Sequence, residues 1–417
     1  MKSHRWLVPW LAGGAIAAGP LACAAQTEAA APDTALAASR PSLAAAVEAA
    51  WQRAAEATQA QGQLRQARAD QAVAGSWLAA PPALQLAQRE GRGNAADGAR
   101  ETEIGVALPL WRPGARATAG QAAQAELDWS TAAEQAARLH VAGQVREALG
   151  QLIALEAEQR LAALQSRLLG RLAEDVDRRV RAGDLAPVDA MAAQAEWLSG
   201  QAQEAQALQR LRDQQVQWRL LTGLAVAAQA PPATAVTVEL GDAHPELQLA
   251  SRALERAQRK LALVQAQRGD GPEIGINLRQ ERPGAGNPAQ HSVGVALRLP
   301  FGTDTHAQPR IAAAISEVEM ASLQRQRTHD RLVAELELAR SRLQGVETQA
   351  RLEARRAALL RERATHLDKA FQAGEAPLPE LLRALGAAAQ ADAVSERQQA
   401  QLHLAQARLL QAQGILP

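Results

Sequence analysis

Hydrophobic residues follow two different periods along this chain, and the two periods alternate in a fixed order. Four short segments alternate apolar and polar residues one by one, which is typical of strands with one apolar face. These segments are 83–90, 101–110, 272–282 and 290–300. Each pair of strands precedes a helical pattern of exceptional length, at about 114–181 and about 307–373. A helix of about 67 residues spans on the order of 100 Å, more than a globular core requires.

The strand pattern is clearest in the second pair, where Ile274, Ile276 and Leu278 alternate with small or polar residues. The segments have about the length of a strand that crosses a bilayer in a barrel, roughly 9 to 11 residues. An ordinary half-buried hairpin has the same pattern. Four strands cannot close a barrel, since about eight is the smallest useful number. A barrel would therefore need strands from several chains.

The two long helices share a narrow seam of leucine and valine at intervals of three and four, and alanine fills much of the rest. This pattern predicts a coiled coil with close helix approach and wide polar faces, one of which would line water. A solid coiled-coil rod has the same periodicity. Both helices end at a glycine, Gly183 and Gly374, with Pro187 and Pro377 soon after. We therefore predict two helical hairpins whose turns lie at the same end, away from the strands.

The chain repeats itself at a long interval. Arg178–Asp189 is echoed by Asp368–Glu380, and the central glycines of the two segments lie 191 residues apart. Gly105–Leu108 reappears unchanged as Gly294–Leu297 at nearly the same spacing. We interpret the chain as two tandem repeats, and the predicted boundaries are 41–230 and 231–417.

The composition favours helices that pack through small side chains. The aromatic residues are eight Trp, two Phe and no Tyr, so a core built around large rings is not expected. Lys and Arg number 45 against 44 Asp and Glu, and the two signs are interleaved along the chain. This distribution does not resemble a nucleic-acid footprint, and no nucleic-acid partner is predicted.

The N-terminus has the layout of a secretory signal peptide, predicted at 1–25, followed by a flexible segment at 26–40. A basic start precedes an apolar run that is too short for a transmembrane anchor. Cys23 is the only cysteine, so no intrachain disulfide is possible. Its position also permits a second interpretation, in which the chain is cleaved before Cys23 and acylated there, although Pro20 stands where such signals carry leucine.

With these features together, the chain resembles the outer-membrane efflux protein family, the TolC-like ducts, over almost its whole predicted mature length. It looks most like the branch that serves cation efflux of the cobalt-zinc-cadmium type. The most specific segments are Arg181–Asp189, Leu220–Gly223, His244–Leu247, Leu278–Arg282 and Leu297–Gly302.

The resemblance implies a mainly α protein with a small transmembrane β part. In such a homotrimer, long coiled-coil helices form an α-barrel, and four strands per protomer form one 12-stranded β-barrel. The implied location is the outer membrane, with a long periplasmic extension and contact with outer-membrane lipid. The implied partners are a periplasmic adaptor (membrane fusion protein) and an inner-membrane resistance-nodulation-division transporter. The duct would passively conduct heavy-metal cations or small toxic compounds to the exterior.

The resemblance also implies roles for the helix turns, which would dock on the adaptor. The predicted adaptor-docking residues are Arg181, Gly183, Asp184, Leu185, Ala373, Gly374, Glu375 and Ala376. Similar proteins carry acidic residues just past the turn, at a periplasmic aperture, and Asp189 and Glu380 match one such position. A second acidic position is lost, since Ala192 and Arg383 stand there. Glu380 and Arg383 also have the spacing of a helix ion pair, and this alternative stays open.

No pattern predicts enzymatic chemistry, a cofactor or a metal site. The histidines are scattered singly, and the sequence has no phosphate-binding glycine loop, nucleophile elbow or zinc-protease motif. Two alternatives to a duct remain. One is a periplasmic adaptor, although an adaptor would carry one helical hairpin without the long repeat. The other is a secreted coiled-coil scaffold without transport activity.

Overall fold

The structure, a computed structural model, is described here for 40–92, 99–229, 241–283, 288–301 and 304–417. The predicted signal peptide at 1–25, Cys23 and the segment at 26–39 lie outside the described residues. All described helices and strands belong to one compact unit, Arg40–Pro417.

Seven helices and four strands make up the described chain, so the predicted mainly α fold with a small β part is confirmed. In chain order the elements are α1 Leu43–Arg53, α2 Ala55–Gly75, β1 Ala83–Glu90, β2 Arg100–Pro109, α3 Ala115–Ala182, α4 Pro187–Thr222, α5 Pro245–Ala266, β3 Glu273–Arg282, β4 Gln290–Arg298, α6 Asp304–Gln372 and α7 Leu378–Ala412. The long helices α3 and α6 have 68 and 69 residues, and α4 and α7 have 36 and 35. The order of hairpin, long helix and shorter helix thus occurs twice with matched lengths.

The first helical segment differs from its prediction. The sequence predicts one helical stretch that starts after Pro41 and continues to about Trp77, but α1 ends at Arg53 and α2 begins at Ala55, because Ala54 is extended with φ −71° and ψ 139°. Neither proline nor glycine stands at this break. The cause is tertiary: α1 packs on both α3 and α4, with Ala50 and Trp51 buried, whereas α2 continues along α3. The break lets the two helices bury different faces.

The helices pack side by side around α3. Helix α3 contacts α2, α4, α5 and α7, and α6 packs along α5 and α7. Small residues allow close approach: a Cβ added at Gly150 would meet Leu404 at 3.0 Å, and one added at Gly143 would meet Gln411 at 3.0 Å. Among the described elements, α6 packs mainly on α5 and α7, and α2 and α4 each pack mainly on α3 and α1.

The four strands form one antiparallel sheet in the order β1-β2-β3-β4. The middle pair joins the two halves of the chain, because β2 and β3 are far apart in sequence. The register aligns Leu84, Val106, Ile276 and Val295 in one row across the sheet. The next row has Leu86, Ile104, Leu278 and Val293.

A buried arginine ties the middle of α3 to the end of the chain. The guanidinium of Arg146 donates to the Gln411 side-chain oxygen at 2.5 Å and to the Ile415 carbonyl at 2.7 Å. Arg146 is only 5% exposed. Burial lowers its pKa to about 10, which leaves it charged at neutral pH. The two acceptors offset part of the cost of burying this charge, and the Arg146 Nε is buried without a hydrogen-bond partner among the described residues.

Candidate functional site

The sheet has one apolar face, and that face is open. Leu84 and Leu86 are 75% and 72% exposed, and Val293 and Val295 are 74% and 76% exposed. Because side chains alternate along a strand, the apolar residues of all four strands share this one face. Monomers in water rarely expose a contiguous apolar surface of this kind, which marks an interaction or membrane-facing surface.

The opposite face of the sheet is polar and ion-paired. Glu101 accepts from Arg89 at 3.4 Å and is ion-paired with Arg279 at 3.0 Å, and Asn277 donates to Glu103. A Cβ added at Gly294 would lie 2.3 Å from the Asn277 side-chain oxygen, so glycine makes room for this amide. The sheet therefore separates an apolar surface from a hydrated one.

None of the helices in the described ranges combines the length and the hydropathy that crossing a membrane requires.

The two turns between long and short helices have nearly the same backbone. Gly183 and Gly374 adopt positive φ, +89° and +79°, which suits glycine. The N–H of Asp184 bonds to the Arg179 carbonyl at 2.9 Å, and the N–H of Glu375 bonds to the Ala370 carbonyl at 2.8 Å. The predicted turns thus form as matching helix ends.

The eight predicted docking residues fall into two groups. Six are exposed on the turns: Arg181, Gly183, Asp184, Ala373, Gly374 and Glu375. Leu185 and Ala376 are partly buried, because they pack on a small apolar cluster between the turns. Arg181 is also bonded to Asp177 of its own helix. Contact of the eight docking residues with an adaptor stays a prediction.

The cluster beneath the turns holds the two helical hairpins together, and sequence analysis missed it. Its buried members are Val176, Ala193, Phe371, Leu378 and Leu381. The Arg179 guanidinium stacks 4.9 Å from the centre of the Phe371 ring and donates to the Phe371 carbonyl at 3.4 Å. The only sequence signal was the rarity of Phe371, one of two phenylalanines.

The two predicted aperture acids, Asp189 and Glu380, occupy the same position, the third residue of their helices. The Asp189 carboxylate turns back and accepts from the Ala186 N–H at 3.2 Å, which caps α4. Pro377 stands at the position of Ala186 in the second turn and has no N–H to offer. The carboxylate of Glu380 therefore lacks this local bond.

Glu380 instead borders a hollow of about 560 Å³ between α6 and α7, near Glu362 and His366. Arg383 donates to the Pro379 carbonyl at 3.2 Å. Within the described residues no ion pair joins Arg383 to Glu380. The two acids have the same sequence position but different surroundings.

The described residues contain no group of three or more His, Cys, Asp or Glu side chains arranged to hold a metal ion.

The fold these elements define is that of outer-membrane channel proteins. No protein-family model matches the chain, and no curated protein matches it by sequence. The structure is similar to that of the outer membrane protein VceC from Vibrio cholerae, with a TM-score of 0.71 and 18% identity over 89% of this chain and 96% of that chain. It is similar to CusC, described for its folding and transmembrane channel formation, with a TM-score of 0.73 and 14% identity over 89% and 92%.

A third similar structure is the open state of the MtrE outer membrane channel from Neisseria gonorrhoeae. Its TM-score is 0.71 at 15% identity, and the match covers 90% of this chain and 89% of that chain. These matches span nearly the whole of each chain, so the expected TolC-like fold is confirmed. At such low identity the likeness establishes the fold alone.

Proposed function

We propose that this protein is the outer-membrane channel of a tripartite efflux pump, which passively conducts exported solutes to the exterior. The observation that carries the proposal is the open apolar face of the sheet, aligned in register across all four strands. Lipid covers this face, and the ion-paired face around Glu101 and Arg279 borders water. The match to outer-membrane channels over the whole described fold supports this orientation.

The open edges of the protomer support a homotrimer. β1 and β4 each have one unpaired edge in the described sheet, and a strand edge with free backbone groups pairs readily with another chain. Three copies joined β1 to β4 give 12 strands, enough to close a barrel. Exposed apolar residues also lie on the outermost helices, such as Met191 and Leu198 on α4 and Met320 and Leu352 on α6. The same ring would cover them.

The long helices extend the conduit into the periplasm. At 1.5 Å per residue, α3 with its 68 residues spans on the order of 100 Å. The turns at Gly183 and Gly374 lie at its far end, where a periplasmic adaptor would bind, and the adaptor would connect the channel to a resistance-nodulation-division transporter. That transporter would supply the energy, so this chain acts as a passive duct and not as an enzyme.

Glu380 is the better aperture residue of the two predicted acids. Its carboxylate has no capping bond to hold it, whereas that of Asp189 is held by Ala186. A free acid at the narrow end of the tube attracts cations and repels anions. This charge fits heavy-metal cations as cargo better than anionic compounds.

Paired substitutions on β4 test the membrane orientation. Val295 points to the apolar face and its neighbour Ala296 to the polar face. Val295→Arg should prevent insertion, since an arginine on the lipid face costs about 2 to 4 kcal/mol at mid-membrane, and Ala296→Arg should be tolerated. The measurement is the amount of trimer recovered from purified outer membranes. Equal recovery of both variants, or a soluble periplasmic native protein, would overturn the proposal.

A further inference from the structure

The apolar face of the sheet ends in a polar margin near the hairpin loops. Beyond the row of Leu278, the next row on the same face holds Gln88, Thr102, Gln280 and His291. The last row holds Glu90, Arg100 and Arg282. Arg282 lies four residues past Leu278, about 14 Å along the strand. These rows therefore lie where an apolar surface gives way to a polar one.

Two arginines stand directly opposite each other in the last row. Arg100 pairs with Arg282 in the register of β2 and β3, so both side chains leave the same face at neighbouring positions. Like charges directly opposite across strands destabilise a sheet. Both residues are exposed. The sheet thus holds two like charges next to each other, and the strand pairing itself does not compensate for their repulsion.

The described chain provides only one carboxylate for these two cations. Glu90 bonds to Arg100 at 3.4 Å, whereas Arg282 has no ion pair or hydrogen bond from its side chain within the described residues. On the opposite face at the same height, Arg89 and Arg279 share Glu101 at 3.4 and 3.0 Å. The sheet therefore neutralises its arginines on the polar face and leaves a net positive charge on the apolar face.

We propose that Arg100 and Arg282 together bind the phosphate of a phosphorylated lipid headgroup at the loop end of the sheet. This inference rests on the proposed membrane orientation, which places this margin at the headgroups of the outer leaflet. Guanidinium groups bind phosphate oxygens in pairs through charge-assisted hydrogen bonds. A phosphate bound by both guanidinium groups lies between Arg100 and Arg282 and replaces their repulsion with attraction of each to the phosphate. Gln280 and Thr102 in the adjoining row offer further donors to the headgroup.

The experiment compares lipid binding by the detergent-solubilised native protein and an Arg100→Gln/Arg282→Gln variant. The probes are lipid A with two phosphates, the same lipid after dephosphorylation, and inorganic phosphate. The readouts are lipid retained in native mass spectrometry and the shift in Tm. The matched control is Arg89→Gln, which removes an exposed arginine at the same height from the opposite face.

We expect the native protein and Arg89→Gln to retain lipid A and to gain Tm with it. The double variant should retain it at least about tenfold less well, since a charge-assisted hydrogen bond contributes about 1.5 kcal/mol or more. Dephosphorylated lipid should bind all three proteins equally. Without lipid, the double variant should be at least as stable as the native protein, because the like-charge repulsion is gone.

Three results would overturn the inference. One is equal lipid A retention by the double variant and the native protein. Another is loss of stability in the double variant without lipid, which would give the arginines a structural role. The third is a response to inorganic phosphate equal to that with lipid A, which would show an anion site without lipid recognition. If the native protein is found in the outer membrane in the same preparations, such a failure leaves the proposed function standing.

Discussion

The two helix turns share one backbone conformation but carry different side chains. Both turns use a glycine at positive φ and the same backbone hydrogen bond to close the long helix. Three residues before each glycine, however, the first turn has Val180 and the second has Phe371. Phe371 is 3% exposed and lies under Arg179 of the first hairpin. Both repeats therefore have the same turn, but the aromatic side chain that packs between the hairpins comes from the second repeat.

The helix starts differ in the same way. Ser42 caps α1 with its hydroxyl, which accepts from the Ala45 N–H at 3.1 Å. His244 caps α5 with its Nδ1, which accepts from the Glu246 N–H at 3.2 Å. One cap is insensitive to pH and the other titrates. The first helices of the two repeats therefore begin with caps of different chemistry.

The largest expected effect is at the apolar cluster beneath the turns, which contains Val176 and Phe371. Phe371→Ala should lower the free energy of unfolding by about 3 to 5 kcal/mol, because it empties a buried site and removes the ring beneath Arg179. Val180→Ala, at the matching position, should cost about 1 kcal/mol, since Val180 is only partly buried. Denaturant unfolding and hydrogen exchange of the turn amides measure both. Equal costs would show that the two turns share the packing.

The turn glycines should behave alike. Gly183→Ala and Gly374→Ala should each destabilise by about 1 to 2 kcal/mol, because a Cβ at positive φ is strained although the space around both residues is open. Gly345→Ala is the control, since this helical glycine also has open space and should gain about 0.5 to 1 kcal/mol. Thermal unfolding of the three variants gives the values. A large difference between the two turn variants would contradict the backbone match.

The α5 cap should make the second repeat sensitive to acid. Burial lowers the pKa of His244 from its usual 6.5, and this outweighs the attraction of Glu246 and Glu335 for the charged form, which nearby Arg331 opposes. The unfolded chain therefore takes up a proton below about pH 6.5 that the folded chain resists. This contribution to the free energy of unfolding is present above about pH 6.5. It is lost as the pH falls below that value, by at most about 1.4 kcal/mol per pH unit.

The matched variants for this cap are His244→Asn and Ser42→Asn. Asparagine keeps an acceptor for the cap but does not titrate. Hydrogen exchange of the first turn of α5 between pH 7.5 and 5.5 should show the acid effect in the native protein and in Ser42→Asn. His244→Asn should abolish it. An unchanged acid response in His244→Asn would assign the effect to another group.

The smallest expected difference in the free energy of unfolding is the one between variants of Asp189 and Glu380. Asp189→Ala should cost about 1 kcal/mol, because it removes the cap on the Ala186 N–H. Glu380→Ala should change the free energy of unfolding by only a few tenths, since Pro377 leaves no such bond to lose. Denaturant unfolding at neutral pH compares the two.

A further substitution sharpens this comparison. Pro377→Ala restores an N–H at the cap position, so Glu380→Ala should cost about 1 kcal/mol in that background. The double-mutant cycle measures the coupling directly. No coupling between the two positions would mean that the missing N–H does not explain the difference between the acids.

The periodic parts of the fold were predictable from the sequence. Four alternating segments predicted the sheet, and the leucine seam with its terminal glycines predicted α3, α6 and their turns. The open apolar face also followed, because Ile274, Ile276 and Leu278 recur at every second position. These features depend on local period and turn chemistry, which a single sequence records directly.

The remaining features depend on contacts between distant segments. No local signal marks the break at Ala54, which follows from the packing of α1 on α3 and α4. The stacking of Arg179 on Phe371 joins residues 192 positions apart. Asp189 and Glu380 looked equivalent by their distance from the glycine. Only the neighbouring residue, Ala186 or Pro377, decides whether the acid has a backbone partner.

Arg146 also has a consequence for the order in which the chain is made. Its carbonyl partner, Ile415, is synthesised 269 residues later. Until then α3 contains a charged side chain without its permanent acceptor, and burying such a group is unfavourable. The packing around Arg146 is therefore completed only after residues 411–415 have been synthesised. Final packing of the middle of α3 is thus coupled to the late synthesis of Gln411 and Ile415, which supply the two acceptors of Arg146.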